Sequence, residues 1–115
     1  METGRLPEGP RVHWWAVTRT ILQRRLVDVS DRLKRLRAEL AVTEEQVAFL
    51  EGEAEEFRLR ALVSETPLAD AEARDARQQA DTMTRYRDGL LVQIGRLQQE
   101  LDELLDRMAA ELAGP

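Results

Sequence analysis

The sequence predicts an all-α protein and, within that class, a two-helix antiparallel coiled-coil hairpin. Three observations carry this. Apolar residues recur at alternating three- and four-residue steps along two long stretches. A single short Ser-Glu-Thr-Pro break separates them. The two apolar ladders also match layer by layer when the chain is folded at that break. Seven-residue spacing kept over many turns is the pattern of helices that wind around each other.

Residues 1–11 contain Gly4, Pro7, Gly9 and Pro10 and are expected to be irregular. Residues 12–63 contain no proline and read as one helix of about 78 Å at 1.5 Å per residue. Residues 64–66 form the turn. Thr66 suits an N-cap, and Pro67 suits the first helical position, where no backbone N–H is needed. The second helix is expected over 67–112. Residues 113–115 end it, with Gly114 and Pro115 as stop signals.

In the first helix one seam position reads Trp15, Leu22, Val29, Leu36, Thr43, Leu50, Phe57. Its companion reads Arg19, Leu26, Leu33, Leu40, Val47, Ala54, Ala61. The second helix reads Ala69, Ala76, Met83, Leu90, Leu97, Leu104, Glu111, with Ala73, Ala80, Arg87, Ile94, Leu101, Met108 beside it. A turn this short joins only antiparallel neighbours. Setting Ala61 opposite Ala69 then pairs Phe57 with Ala73, Leu50 with Ala80, Leu40 with Leu90, Leu33 with Leu97 and Leu26 with Leu104. The interruptions coincide as well, Thr43 facing Arg87 and Arg19 facing Glu111.

Flanking charges give a second test of the register. It places Arg58 by Asp70, Glu51 by Arg77, Arg60 by Glu72 and Arg32 by Glu100. On a coarser scale, residues 39–56 carry seven glutamates and no basic residue, whereas residues 19–37 are rich in arginine. Folding back lays the basic stretch along Glu100, Asp102, Glu103, Asp106 and Glu111.

Composition narrows the function classes. With 34% charged and 4% aromatic residues, the chain suits solvated helices with a narrow apolar seam better than a broad globular core. The absence of cysteine removes thiolate catalysis, thiolate metal sites and disulfides. His13 is the one histidine. No phosphate loop, metal-ligand cluster or activated nucleophile is present in the sequence, so neither an enzyme nor a bound cofactor is expected. No apolar run reaches the roughly 20 residues that cross a bilayer. Residues 1–15 lack the apolar core of a secretory signal, making the cytoplasm the default location. Lys34 is the only lysine among 17 basic residues, an arginine bias expected of a GC-rich bacterial genome.

Three groups of residues are candidates for function. Trp14, Val17 and Ile21 lie off the seam at helical spacing, beside Trp15, which lies in it. Leu105 and Leu112 lie off the seam at the matching end of the second helix. A two-helix hairpin cannot cover all of these, and surplus apolar surface on a charged rod marks a contact site. The competing reading folds residues 1–11 back over the tryptophans. Polar seam residues Arg19, Thr43, Arg87 and Glu111, with Gln23, form the second group. They read as register-setting layers, with a ligand site as the alternative. The third group is the stretch Arg24, Arg25, Arg32, Lys34, Arg35, Arg37. A net charge of −5 and the lack of interleaved aromatics argue against nucleic acid there.

The stretch from Val17 to Val29 resembles part of the coiled-coil anti-sigma factor of sporulating actinobacteria that binds cyclic di-GMP. That family's signature is glutamate, serine four residues on, arginine three on, then glutamine and aspartate at intervals of four. The corresponding positions here are Val12, Ala16, Arg19, Gln23 and Val27, so Arg19 and Gln23 match and the other three depart. The second helix carries no copy of the signature. The resemblance implies a regulatory hairpin that grips a transcription factor, with the nucleotide signature largely absent.

The resulting expectation is a non-enzymatic helical hairpin that binds another protein through its open end. Its alternatives are self-assembly into a homodimeric four-helix bundle or scaffold, and an anti-sigma-type or nucleotide-binding regulator.

Overall fold

The computed structural model describes residues 14–113. The irregular segment expected over 1–11, the first residues of the expected first helix and the Gly114-Pro115 stop lie outside the described residues, as does the side chain of Trp15. The described residues are 98% helical, and the molecule is a hairpin 72 Å long. Helix α1 spans Trp14–Ser64 and helix α2 spans Pro67–Ala113, so the first ends, and the second ends, one residue later than the pattern alone suggests.

The turn is built from local chemistry. Glu65 adopts the left-handed conformation with φ 50, and its N–H donates to the Ala61 carbonyl at 3.0 Å, which closes the last turn of α1. Thr66 then caps α2, its Oγ1 accepting the Ala69 N–H at 3.1 Å while its carbonyl accepts the Asp70 N–H at 3.0 Å. Pro67 follows as the first helical residue, and the Asp70 carboxylate lies in the first turn, where the helix dipole favours negative charge. Two residues thus reverse the chain.

Every seam position described in either helix is buried or half-buried. Toward the open end the core is a cluster of Leu22, Val29, Leu33, Ile94, Leu97 and Leu104, with Leu26, Leu36, Leu40, Leu101 and Met108 packed against it. Toward the turn a smaller cluster holds Ala54, Ala76 and Ala80 with Leu50 and Phe57. Leu33 and Leu97, Leu26 and Leu104, Ala54 and Ala76, and Leu50 and Ala80 each share a cluster, as the antiparallel register requires.

Between the clusters lies the polar layer. Thr43 is buried, at 2% exposure, and its hydroxyl donates to the Glu39 carbonyl at 2.8 Å. Its polar group is therefore satisfied by its own helix and asks nothing of the partner. Arg87 is half-buried and carries its guanidinium out of the seam, with Nε 2.9 Å from Asp88 and Nη1 3.8 Å from Glu44. A long apolar stem with a wet head is tolerated in so narrow a seam.

The flanking pairs agree with the sequence in one case and differ in three. Arg77 meets Glu51 at 2.6 Å, as expected. Arg58 does not reach Asp70. It pairs within its own helix with Glu55, through Nε at 3.0 Å and Nη2 at 2.7 Å. Arg60 does not reach Glu72. It lies 3.7 Å from Glu56 and 5.1 Å from the Phe57 ring centroid. Glu100 pairs with Arg25 instead of Arg32. In each case a nearer or equally placed partner on the same face wins, because exposed pairs are worth only about 0.2–1 kcal/mol and fine geometry decides between them.

Two stability predictions follow from this packing. Leu33 is 1% exposed, so Leu33→Ala is expected to lower unfolding free energy by about 2–5 kcal/mol in urea titration. At the turn, Glu65→Gly relieves a left-handed conformation that costs a side-chain-bearing residue about 1–2 kcal/mol. The variant is expected to raise the denaturation midpoint, and an unchanged or lower midpoint would contradict the turn geometry.

Candidate interaction surface

Two flanks run along the hairpin, one on each side of the seam. The first is marked by the Glu51–Arg77 pair. The second is marked by Arg25 with Glu100 and by the Tyr86 hydroxyl donating to Glu39. These two second-flank contacts are two heptads apart on both helices, so one register satisfies both. The hydrogen bond to Glu39 holds the Tyr86 phenol above its ordinary ionisation range, with desolvation and the carboxylate charge acting the same way. At the turn end, the Arg58 guanidinium holds the Glu55 carboxyl below the usual carboxylate range.

The candidate residues from the open end divide between these flanks. Trp14 is 80% exposed and Ile21 60% exposed, while Val17 is half-buried on the outermost face. Trp14 and Ile21 stand on the shoulder of the second flank, a turn before Thr18 and Arg25. Leu105 and Leu112 are exposed and sit whole heptads from Arg77, which places them on the first flank. The structure brings Trp14 and Ile21 together and sets Leu105 and Leu112 on the other side.

The polar candidates also separate. Thr43 and Arg87 form the central layer. Arg19 and Glu111 are half-buried at the open end, and Gln23 is exposed there. Arg19 and Thr43 are about 36 Å apart along α1, so these five residues form no common site. Among the described residues, no group of three or more His, Cys, Asp or Glu could hold a metal ion. No helix there is long and apolar enough to cross a membrane.

The exposed apolar surface extends beyond what the sequence reading singled out. Val42 and Phe49 are exposed, Phe49 at 65%, and they continue the seven-residue step of Trp14 and Ile21 along the same shoulder. Beside them Gln46, Leu50 and Met83 complete a shallow groove between the helices, with exposed Tyr86 nearby. Leu59, Leu62, Val63 and Leu68 form a second exposed group at the turn. The signal for the first set was present, since extending the Trp14–Ile21 spacing by whole heptads reaches Val42 and Phe49. Asp28 and Arg35 interrupt the run and hide it.

No family model, curated protein or solved structure matches the chain. The class is defined by its fold, an all-α helical hairpin.

The second flank gives a prediction of its own. A double-mutant cycle on Arg25→Ala and Glu100→Ala is expected to yield a coupling of about 0.2–1 kcal/mol that fades with salt. The same cycle on Arg32 and Glu100 is expected to be additive. The opposite result would restore the pairing read from sequence.

Proposed function

We propose that the protein is a non-enzymatic interaction module, a rigid helical hairpin that binds a protein through the outer face of α1. The observation that carries this reading is the stripe of large apolar side chains on that face. Trp14, Ile21, Val42 and Phe49 are all exposed, and none takes part in the seam that holds the helices together. Apolar side chains of this size in water have no folding role to explain them, and aromatic residues are preferred anchors in contacts. The four residues lie on one continuous helix, so their spacing is set before binding, which reduces the ordering cost of association.

A regulatory role is the form of this reading favoured by the resemblance in residues 17–29. It rests on Arg19 and Gln23 alone and supplies no ligand site.

The test separates binding from folding. Trp14→Ala combined with Ile21→Ala is expected to leave helical content and melting in dilute solution close to wild type, while Leu33→Ala melts far lower. The same double variant is expected to lose the association made by the wild-type chain, read by affinity capture from the native host and by light scattering. If it melts as poorly as Leu33→Ala, these side chains belong to the fold and the proposed surface is wrong.

A further inference from the structure

Building on the reading of the α1 outer face as a binding surface, we propose that its occupant is a second copy of this chain, docked antiparallel across a two-fold axis. The stripe runs Trp14, Ile21, Asp28, Arg35, Val42, Phe49 at seven-residue steps, and all six residues are exposed. Read inward from either end, it gives an aromatic residue, an aliphatic residue and a charge, and the two charges are opposite. A two-fold axis between Asp28 and Arg35 therefore sets Trp14 against Phe49 of the second copy and Ile21 against Val42. It also sets Asp28 against Arg35, and each of the three contacts occurs twice. A closed dimer with such an axis requires this self-complementarity, since the same patch must serve both partners.

Along the same axis residues 19–37 of one copy lie against 26–44 of the other, so the charge match is carried by Asp28 with Arg35 at the centre of the stripe. A parallel arrangement would instead set Asp28 on Asp28 and Arg35 on Arg35, and like charges facing each other disfavour association. The apolar end is also shaped to receive a ring. Phe49 and Val42 border the groove with Leu50 and Met83 at its base, and the incoming Trp14 fits that groove as an offset aromatic partner for Phe49.

Area sets the expected strength. From Trp14 to Phe49 the stripe is about 52 Å long, and a helix is about 10 Å wide, giving on the order of 500 Å² per copy. That is below the roughly 800 Å² per partner of a standard stable interface. The dimer is accordingly expected to be reversible, with an equilibrium in the micromolar range.

Sedimentation equilibrium on the full chain tests this. The wild type is expected to pass from monomer to dimer across micromolar concentrations. Asp28→Arg and Arg35→Asp are each expected to weaken the dimer by about tenfold or more, because each creates two like-charge contacts at the centre. Combining both changes in one chain recreates the two ion pairs with reversed sign and is expected to return the equilibrium close to wild type. Both positions are exposed and outside the seam, so melting of all three variants should stay near wild type. In mixtures, Ile21→Cys chains should cross-link to Val42→Cys chains under mild oxidation.

A wild-type monomer throughout that range overturns the second-copy inference. It would leave the stripe to a foreign protein or to the chain's own first residues, and the affinity capture above would still decide the broader reading. A dimer that ignores Trp14→Ala, or a charge-reversed double variant as weak as the singles, overturns the antiparallel geometry.

Discussion

A pair of helices has a single line of contact, and every other feature of this molecule answers to that constraint. With no third element to cover errors, each layer along the line must be filled from two side chains. Near the open end leucine, valine and isoleucine fill it. Near the turn alanines do so together with Leu50 and Phe57, and the alanines bury less area. The central polar layer survives because neither member depends on the other. Thr43 bonds to its own helix, and Arg87 is long enough to leave the seam. Two shorter or less self-sufficient polar groups there would have been left without partners in a buried position, at a cost of about 1–3 kcal/mol each.

Electrostatics plays a different part. The cross-helix pairs Glu51–Arg77 and Arg25–Glu100 are exposed and individually weak. Their contribution is direction and register, and even that is shared with intrahelical pairs such as Glu55–Arg58. Fold-back of a basic stretch onto an acidic one neutralises the hairpin coarsely. The choice of partner for any one arginine is then decided by small differences in reach.

The narrow seam also determines how much surface folding leaves free. Each helix uses only one stripe of its surface for folding, so most of the molecule's surface is outer face. Charged residues are expected there, and the apolar ones that appear instead carry information. Trp14, Ile21, Val42 and Phe49 are separated by whole heptads, so the supercoil that aligns the seam aligns them too. The result is a line of large apolar side chains along one shoulder of the rod, interrupted by Asp28 and Arg35.

How much of this was legible in the sequence depends on what kind of information each feature needed. The two helices, the Thr66-Pro67 start of α2, the antiparallel sense and the seam layers followed from residue spacing. Burial in a two-helix pair depends only on position within the heptad, and the short turn leaves one way to match the ladders. The tertiary structure alone decided which arginine meets Glu100, because Arg25 and Arg32 share a face one heptad apart and spacing does not distinguish them. It alone showed how much of each off-seam side chain stays in water, leaving Trp14 and Phe49 largely exposed and Val17 half-buried. Heptad spacing fixes a residue's place around its own helix. The area left open at that place depends on which neighbouring side chains lean over it, and only the folded pair determines that.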